Sequence, residues 1–238
     1  MNVGTVSQHI SKQFDNELEN IRERVLVMGG LVEQQLSNAL KALTESEVEF
    51  AEGVIKKEPE VNRLEVSIDE DCTKILAKRQ PAARDLRLVM AVIKTITDLE
   101  RVGDEAEKVA KMAIDLIEKQ GPKSYYVGIN AMGNHVRNMV HDALDAFARM
   151  DTKSALRVAG EEPKSDEMYV AILRQLITYM MEDPRNITGT IDVVWTARAL
   201  ERIGDHARNI CEYVIYFVEG KDVRHISIEQ MEKEVNAD

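Results

Sequence analysis

The chain has 238 residues, of which 44% are hydrophobic, so it is long enough to bury a substantial core. Its formal net charge of −11 at pH 7 argues against nonspecific nucleic-acid binding and against an anionic membrane surface, because both require clusters of basic side chains. Aromatic residues make up only 5% of the chain, whereas Leu, Val, Ile, Ala and Met are plentiful. This composition favours helices over sheets.

The sequence also bears on the cellular compartment. The N-terminus lacks the charged, apolar and small-residue regions of a signal peptide, and no apolar run reaches the ~18 residues of a membrane-spanning helix. We therefore expect a cytoplasmic protein. Cys72 and Cys211 lie inside helical patterns without a Cys-x-x-Cys motif, so we expect both to be reduced packing residues.

Three long helices are predicted in the first half of the chain. The first covers about residues 7–43, where apolar residues recur in steps of three and four. Thr44 and Glu47 have the spacing of a capping box, which predicts the start of the second helix. Pro81 suits the first turn of the third helix, which is expected to end before Gly121-Pro122.

The same plan is predicted to start again after that Gly-Pro pair. The fourth helix covers about residues 125–150, and the fifth covers about residues 152–181 behind Asp151 as its N-cap. The sixth begins after Asp183-Pro184 and ends near Gly220. Beyond this glycine the chain is polar and acidic, and we expect it to be loose.

Short sequences recur between the two halves. Met28-Gly29-Gly30 is matched by Met132-Gly133-Asn134, and Glu58-Pro59 by Glu162-Pro163, both 104 positions later. We therefore predict an all-α fold of two pseudo-repeated antiparallel three-helix bundles, with six long helices in total. The predicted division of the chain is a first repeat at residues 1–121, a second repeat at residues 122–220 and a polar tail at residues 221–238.

The most informative repeat is a Glu-Arg-hydrophobic-Gly-Asp motif, which occurs twice at a separation of 101 positions. The first copy places Glu100 four residues before Asp104, and the second places Glu201 four residues before Asp205. On a helix, positions i and i+4 share one face, so each copy points two carboxylates in the same direction. Such a pair is unfavourable unless a metal ion, a neighbouring arginine or solvent compensates the charge.

Hairpin geometry predicts the partners of each motif, because residues equally far from a turn lie level on antiparallel helices. This places Glu58 and Asn62 beside the first motif, and Glu162 and Asp166 beside the second. Four oxygen-bearing side chains on two helices suit iron, manganese or magnesium, and zinc with fewer ligands. The predicted metal ligands are Glu58, Asn62, Glu100, Asp104, Glu162, Asp166, Glu201 and Asp205.

The chain resembles the PhoU family, whose members are regulatory proteins associated with phosphate-specific ABC transport. The resemblance covers essentially the whole chain. It is carried by Met28-Gly29-Gly30, Lys78-Arg79-Gln80-Pro81, Asp85-Leu86-Arg87, both Glu-Arg-x-Gly-Asp motifs and the segment from Asp145 to Asp151.

This resemblance implies two pseudo-symmetric bundles whose Glu/Asp-x-x-x-Asp pairs bind multinuclear iron or other divalent metals. Asn62 departs from the carboxylate pattern at the first of these sites. The resemblance also implies lowered phosphate-starvation signalling through contact with the transporter ATPase subunit and a membrane sensor histidine kinase. We further expect a homodimer that reaches the membrane only through these partners and does not bind nucleic acid.

Two other classes of function are compatible with a helical bundle. A carboxylate-bridged di-metal enzyme needs Glu-x-x-His pairs, and neither half supplies one; His206 adjoins Asp205 but lies five residues from Glu201. No Gly-rich phosphate loop or nucleophile with a positioned base is evident either, so we expect a protein that is not an enzyme. A purely structural helical protein, whose acidic pairs form a solvated face, is the third class.

The single tryptophan, Trp195, occupies the position of Lys94 in the first half. A lone tryptophan often fills the core. An exposed tryptophan among polar neighbours is instead typical of an interface anchor, and the sequence leaves both interpretations open.

Overall fold

The computed structural model describes residues 3–119 and 126–236, and within them it contains α-helices, short helical turns and no strand. The all-α fold is therefore confirmed. The helices are α1 (Val3–Lys41), α2 (Val48–Arg79), α3 (Ala83–Glu118), α4 (Val127–Arg149), α5 (Thr152–Ala159), α6 (Glu162–Glu182), α7 (Ile187–Glu219) and α8 (Ile228–Asn236).

The long helices pack as two three-helix bundles, as predicted. Helices α1, α2 and α3 contact one another in the first bundle, and α4, α6 and α7 do so in the second. The third helix of each bundle, α3 and α7, also packs along its counterpart, so the bundles share one core. Leu99 and Val102 of α3 and Leu200 and Ile203 of α7 are fully buried in this core.

The predicted fifth helix is wrong in one respect, because residues 152–182 form two helices instead of one. Helix α5 ends at Ala159 with Gly160 as its C-cap, and α6 starts with Pro163 in its first turn. In the first bundle Pro59 is accommodated inside the continuous helix α2. The sequence difference is Gly160, which stands where the first half has Lys56. A glycine weakens the turn that a proline already deprives of an N–H donor, and the helix breaks there.

Several helix ends also differ from the sequence prediction. Thr44 donates its hydroxyl to the carbonyl of Lys41 within a π-helical turn, Ala42–Ser46, so it does not cap α2. Pro81 precedes the first residue of α3. Asp151 does cap α5, since its carboxylate accepts the backbone N–H groups of the two residues after Thr152, at 3.0 and 3.2 Å.

The segment after Gly220 is folded through residue 236, contrary to the expectation of a loose tail. It carries helix α8, which packs against α5 and buries Met231. Val223, in the connection that precedes α8, is buried as well. The predicted boundary at Gly121-Pro122 lies outside the described residues.

Two glycines bring α1 and α4 into close contact. A Cβ atom at Gly29 would overlap the side chain of Leu144, and a Cβ atom at Gly133 would overlap Leu40. The two contacts are equivalent, because Gly133 and Leu144 follow Gly29 and Leu40 by 104 positions. The glycines are therefore explained by packing between the bundles.

We expect Gly29→Val to destabilise the fold by about 1–3 kcal/mol, because the added side chain must displace Leu144 in a packed interface. Gly30→Val is the matched control, since nothing lies within 4 Å of a Cβ atom at Gly30. Urea unfolding followed by helical circular dichroism measures both free energies. Equal stability of the two variants would contradict the packing role.

Candidate metal centres

The antiparallel pairing of α6 and α7 assembles a carboxylate cluster in the second bundle. Glu162, Asp166 and Asp205 each offer one oxygen, and these three oxygens all lie within 4.8 Å of one another. Glu162 is buried, Asp205 is partly buried and Asp166 is exposed, so the cluster lies at the edge of the core and opens to solvent. Hairpin geometry therefore places these residues together, as the sequence predicted.

Glu201 adjoins this cluster one turn before Asp205. It is buried, and its Oε1 accepts a hydrogen bond from Arg198. Its other carboxylate oxygen, Oε2, is buried and has no hydrogen-bond partner. A buried carboxylate oxygen without a partner is costly, and a cation bound between Glu201 and Asp205 would satisfy it.

The electrostatics of the cluster point the same way. Burial raises the pKa of Glu201, and the nearby charge of Asp205 raises it further. Burial likewise raises the pKa of Asp205, with a further contribution from Glu162. The protein thus holds several carboxylates close together with too little positive charge to stabilise them fully.

An arginine of α7 supplies positive charge at the cluster. Arg208 donates to Glu162 at 2.8 Å and to Glu212 at 3.1 Å, and it holds both carboxylates in place. An open cavity of about 500 Å³ lies beside the cluster, and Glu162, Asp205 and Arg208 are among its lining residues. This cavity gives solvent and ions access to the carboxylates.

The corresponding site in the first bundle is less compact. Asn62 donates its amide to Glu58 on the same helix, which leaves the side-chain oxygen of Asn62 buried without a partner. Glu100 and Asp104 lie on the facing helix α3, and burial followed by the charge of Asp104 raises the pKa of Glu100. Among the described residues, no second group of three His, Cys, Asp or Glu side chains is as close as the group in the second bundle.

Glu65, which is not among the predicted ligands, lies near the first site. The charge of Glu65 raises the pKa of Glu100 more than the charge of Glu58 does. Burial raises the pKa of Glu65 itself, and Thr97 donates to it at 3.5 Å. Glu65 is therefore a further candidate ligand. The available signal in the sequence was its position on the same side of the helix, about one turn from Asn62 and two turns from Glu58.

His206 bonds to α3, although it lines the same cavity as Glu162 and Asp205. Its Nδ1 lies 2.7 Å from Oδ1 of Asp98, which also accepts a hydrogen bond from the side-chain amide of Asn209 at 3.0 Å. Arg202, inside the second motif, forms an ion pair with buried Glu105 at 2.8 Å. The polar residues of the motif therefore have two roles, since some form the cluster and others join α7 to α3.

The fold and these sites define a class of protein: a duplicated all-α bundle that presents paired carboxylates at the junction of its second and third helices. The model of the PhoU domain family matches twice, at residues 25–113 and 129–214. The chain belongs to the PhoU family.

Relatives of this family are similar along nearly the whole chain. The phosphate-specific transport system accessory protein PhoU homolog of Pseudomonas putida is 51% identical over 235 residues, covering 99% of this chain and 92% of that protein. The phosphate-specific transport system accessory protein PhoU of Escherichia coli K12 is 47% identical over 228 residues, covering 96% of this chain and 94% of that protein.

Solved structures agree with this family assignment. The crystal structure of PhoU from Pseudomonas aeruginosa has a TM-score of 0.86 at 50% sequence identity, covering 87% of this chain and 100% of that one. The phosphate transport system regulatory protein PhoU from Streptococcus pneumoniae has a TM-score of 0.81 at 31% identity, covering 88% and 99%.

We expect Asp205→Asn to stabilise the metal-free protein at neutral pH. The folded-state pKa of Asp205 is raised, so its ionised form opposes folding. This penalty is complete above the folded-state pKa and is lost as the pH falls to the unfolded-state pKa. The gain should therefore shrink as the pH falls toward the ordinary aspartate value of about 3.9. Urea unfolding of chelator-treated wild type and variant across this range measures it. A variant that is less stable at neutral pH would contradict the repulsion.

Proposed function

We propose that this chain is an accessory protein of phosphate-specific transport that lowers phosphate-starvation signalling and is not an enzyme. In this role it acts in the cytoplasm, as a homodimer, as an adaptor between the transporter ATPase subunit and the sensor histidine kinase. Family membership and the names of the relatives support the link to phosphate transport. No helix in the described parts of the chain is both long and apolar enough to cross a bilayer.

The proposal includes a metal ion at the second-bundle cluster, held by Glu162, Asp166, Glu201 and Asp205. The observation that carries it is the convergence of three carboxylate oxygens within 4.8 Å beside the unpartnered Oε2 of Glu201. An all-oxygen donor set suits magnesium, manganese or iron, and zinc also accepts carboxylates. A bound cation would neutralise the cluster and fix the relative position of α6 and α7.

The first-bundle site, Glu58, Asn62, Glu100 and Asp104, is proposed as a weaker centre of the same kind. Asn62 contributes no charge, and its amide is engaged with Glu58. Glu65 supplies an additional carboxylate near Glu100. We therefore expect the second-bundle site to bind divalent metal more tightly.

The di-metal enzyme alternative finds no support at the second site. Such enzymes use histidine together with carboxylates, and the histidine next to Asp205 is engaged with Asp98 on the neighbouring helix. The candidate ligands are all carboxylates. Their clustering is explained by a bound cation that neutralises their charge, without any role in proton transfer.

Metal binding is tested by loading chelator-treated protein separately with manganese, zinc and ferrous iron under anaerobic conditions. At a free metal concentration about 100 times the Kd, binding should stabilise the folded state by about 2.7 kcal/mol. Elemental analysis gives the stoichiometry, and thermal unfolding gives the stabilisation.

The informative variants differ by a single carboxylate. Asp205→Asn should lose most of the stabilisation, Asp104→Asn should lose a smaller part, and Asp145→Asn is the control on an exposed helix surface. Equal metal content and equal stabilisation in wild type and Asp205→Asn would remove the metal site from the proposal.

The adaptor role is tested by binding to the cytoplasmic part of the sensor histidine kinase and, separately, to the transporter ATPase subunit. We expect both to bind the wild-type chain, and we expect removal of bound metal to weaken at least one of the two complexes. A reporter of phosphate starvation should be repressed in cells that express the chain when phosphate is ample. Absence of binding to both partners, together with an unrepressed reporter, would refute the role.

A further inference from the structure

The outer side of the α6–α7 hairpin carries six exposed large apolar side chains, which we call the hairpin face. Met181 is 80% exposed and Trp195 is 61% exposed. Trp195 therefore projects from the bundle and does not fill the core. The hairpin face consists of Val170, Ile177 and Met181 on α6 and Ile187, Ile191 and Trp195 on α7.

The two helices present these residues side by side. Because α6 and α7 run antiparallel from the turn at residues 183–186, Met181 lies level with Ile187, and Ile177 lies level with Ile191. Further from the turn, the guanidinium of Arg198 lies over the ring of Tyr169, 5.8 Å from its centroid, as this register requires. The hairpin face is thus a surface about three turns long. Trp195 lies at its edge nearer α3, because it is seven residues before Arg202, which pairs with Glu105 of α3.

The hairpin face continues into the carboxylate cluster. On α6, Val170 lies four residues after Asp166, and Ile177 lies seven residues after Val170. These three residues therefore share one side of the helix. On α7, Ile191 precedes Arg198 by seven residues, and Arg198 precedes Asp205 by another seven. One side of the hairpin is therefore apolar near its turn and acidic at its other end.

The first bundle shares only half of the hairpin face. Val170, Ile187 and Ile191 correspond to Val66, Leu86 and Met90, which are apolar as well. The other three positions differ between the bundles. Ile177, Met181 and Trp195 correspond to Thr73, Ala77 and Lys94. Thr73 and Ala77 are exposed, and Lys94 lies over the rings of two tyrosines of α7. The first bundle folds with smaller or charged side chains there, so the larger apolar residues of the second bundle serve a different purpose.

The charged residues around the hairpin face indicate what kind of partner it binds. Two arginines near the hairpin face are paired, Arg198 with Glu201 and Arg185 with Asp183, whereas exposed Arg174 lies on α6 between Val170 and Ile177. Exposed Asp166 and Glu167 border its acidic end. An anionic lipid surface is disfavoured by a chain of net charge −11. A groove between two helices fits a third helix with apolar residues at i, i+3, i+4 and i+7.

We propose that the hairpin face is a docking surface for an amphipathic helix of a partner protein, apolar on one side and basic at the end that reaches Asp166 and Glu167. The inference extends the proposed adaptor role by naming a surface for one of its contacts. Its apolar residues lie outside the proposed ligand set, whereas Asp166 belongs to that set. A bound cation should therefore weaken only the electrostatic part of docking, and the peptide is tested on chelator-treated protein.

Trp195 supplies the assay, since it is the only tryptophan in the chain. The probe is a tryptophan-free amphipathic peptide of about 18 residues, with leucines on one side and lysines at one end. Titration should shift the Trp195 emission to shorter wavelength and saturate, as the indole is covered. A peptide with glutamate in place of lysine should bind more weakly, and added salt should weaken binding of the lysine peptide.

The matched variant is Ile177→Thr with Met181→Ala, which installs the first-bundle residues and keeps the reporter Trp195. We expect it to raise the Kd for the peptide at least about tenfold, because two apolar anchors are lost. Val66→Thr, at an exposed apolar residue of the first bundle, is the control and should leave the Kd unchanged. Circular dichroism verifies that each variant is folded.

Three results would overturn the proposal. They are no emission shift with the lysine peptide, an equal Kd in wild type and the double variant, and a shift produced by vesicles or by self-association of the chain instead of by the peptide. Light scattering and phosphatidylcholine vesicles test the last of these. Metal-free Asp205→Asn should still bind the peptide, so failure of the metal site and failure of the docking surface are distinguishable.

Discussion

Helices α3 and α7 pack against each other through fully buried apolar residues, including Leu99 and Leu200, and this contact decides where every other element lies. A helix with one wide apolar side must bury that side. Helices α3 and α7 each bury part of their apolar side against the other. Helices α2 and α6 are then left to cover the remaining edge of α3 and α7. The carboxylates of each motif consequently lie at that edge, facing α2 or α6.

Polar contacts fix the register of this central pair. Asp98 is buried on α3 and accepts hydrogen bonds from α7, while Glu105 pairs with Arg202 across the same interface. A buried carboxylate without these partners costs several kcal/mol, so the wrong register is strongly disfavoured. The motif histidine and arginine are therefore structural, and the motif carboxylates are free to form the cluster.

The two halves share a fold but have diverged in charge and surface. Asn62 in the first half corresponds to Asp166 in the second, which lowers the negative charge of the first site. Lys94 corresponds to Trp195, and Thr73 to Ile177, so the exposed apolar surface is more extensive in the second half. Duplication allows this divergence, because one copy can maintain the common core while the other acquires a separate contact.

The sequence by itself determined the elements and their pairing. Apolar spacing identified the long helices, the repeated Glu-Arg-x-Gly-Asp motif revealed the duplication, and the turn positions placed Glu162 and Asp166 beside Asp205. These inferences succeed because they depend on helix periodicity and on equal distances from a turn, and both are local properties of the chain.

Only the tertiary structure decided what depends on contacts between distant segments. The packing of α8 against α5, the bond between His206 and Asp98, and the glycine contacts of α1 with α4 join residues far apart in the chain. No periodic pattern encodes such pairs. The break at Gly160 is a local exception, since its effect on the helix is visible only by comparison with the unbroken α2, which contains a proline at the matching position.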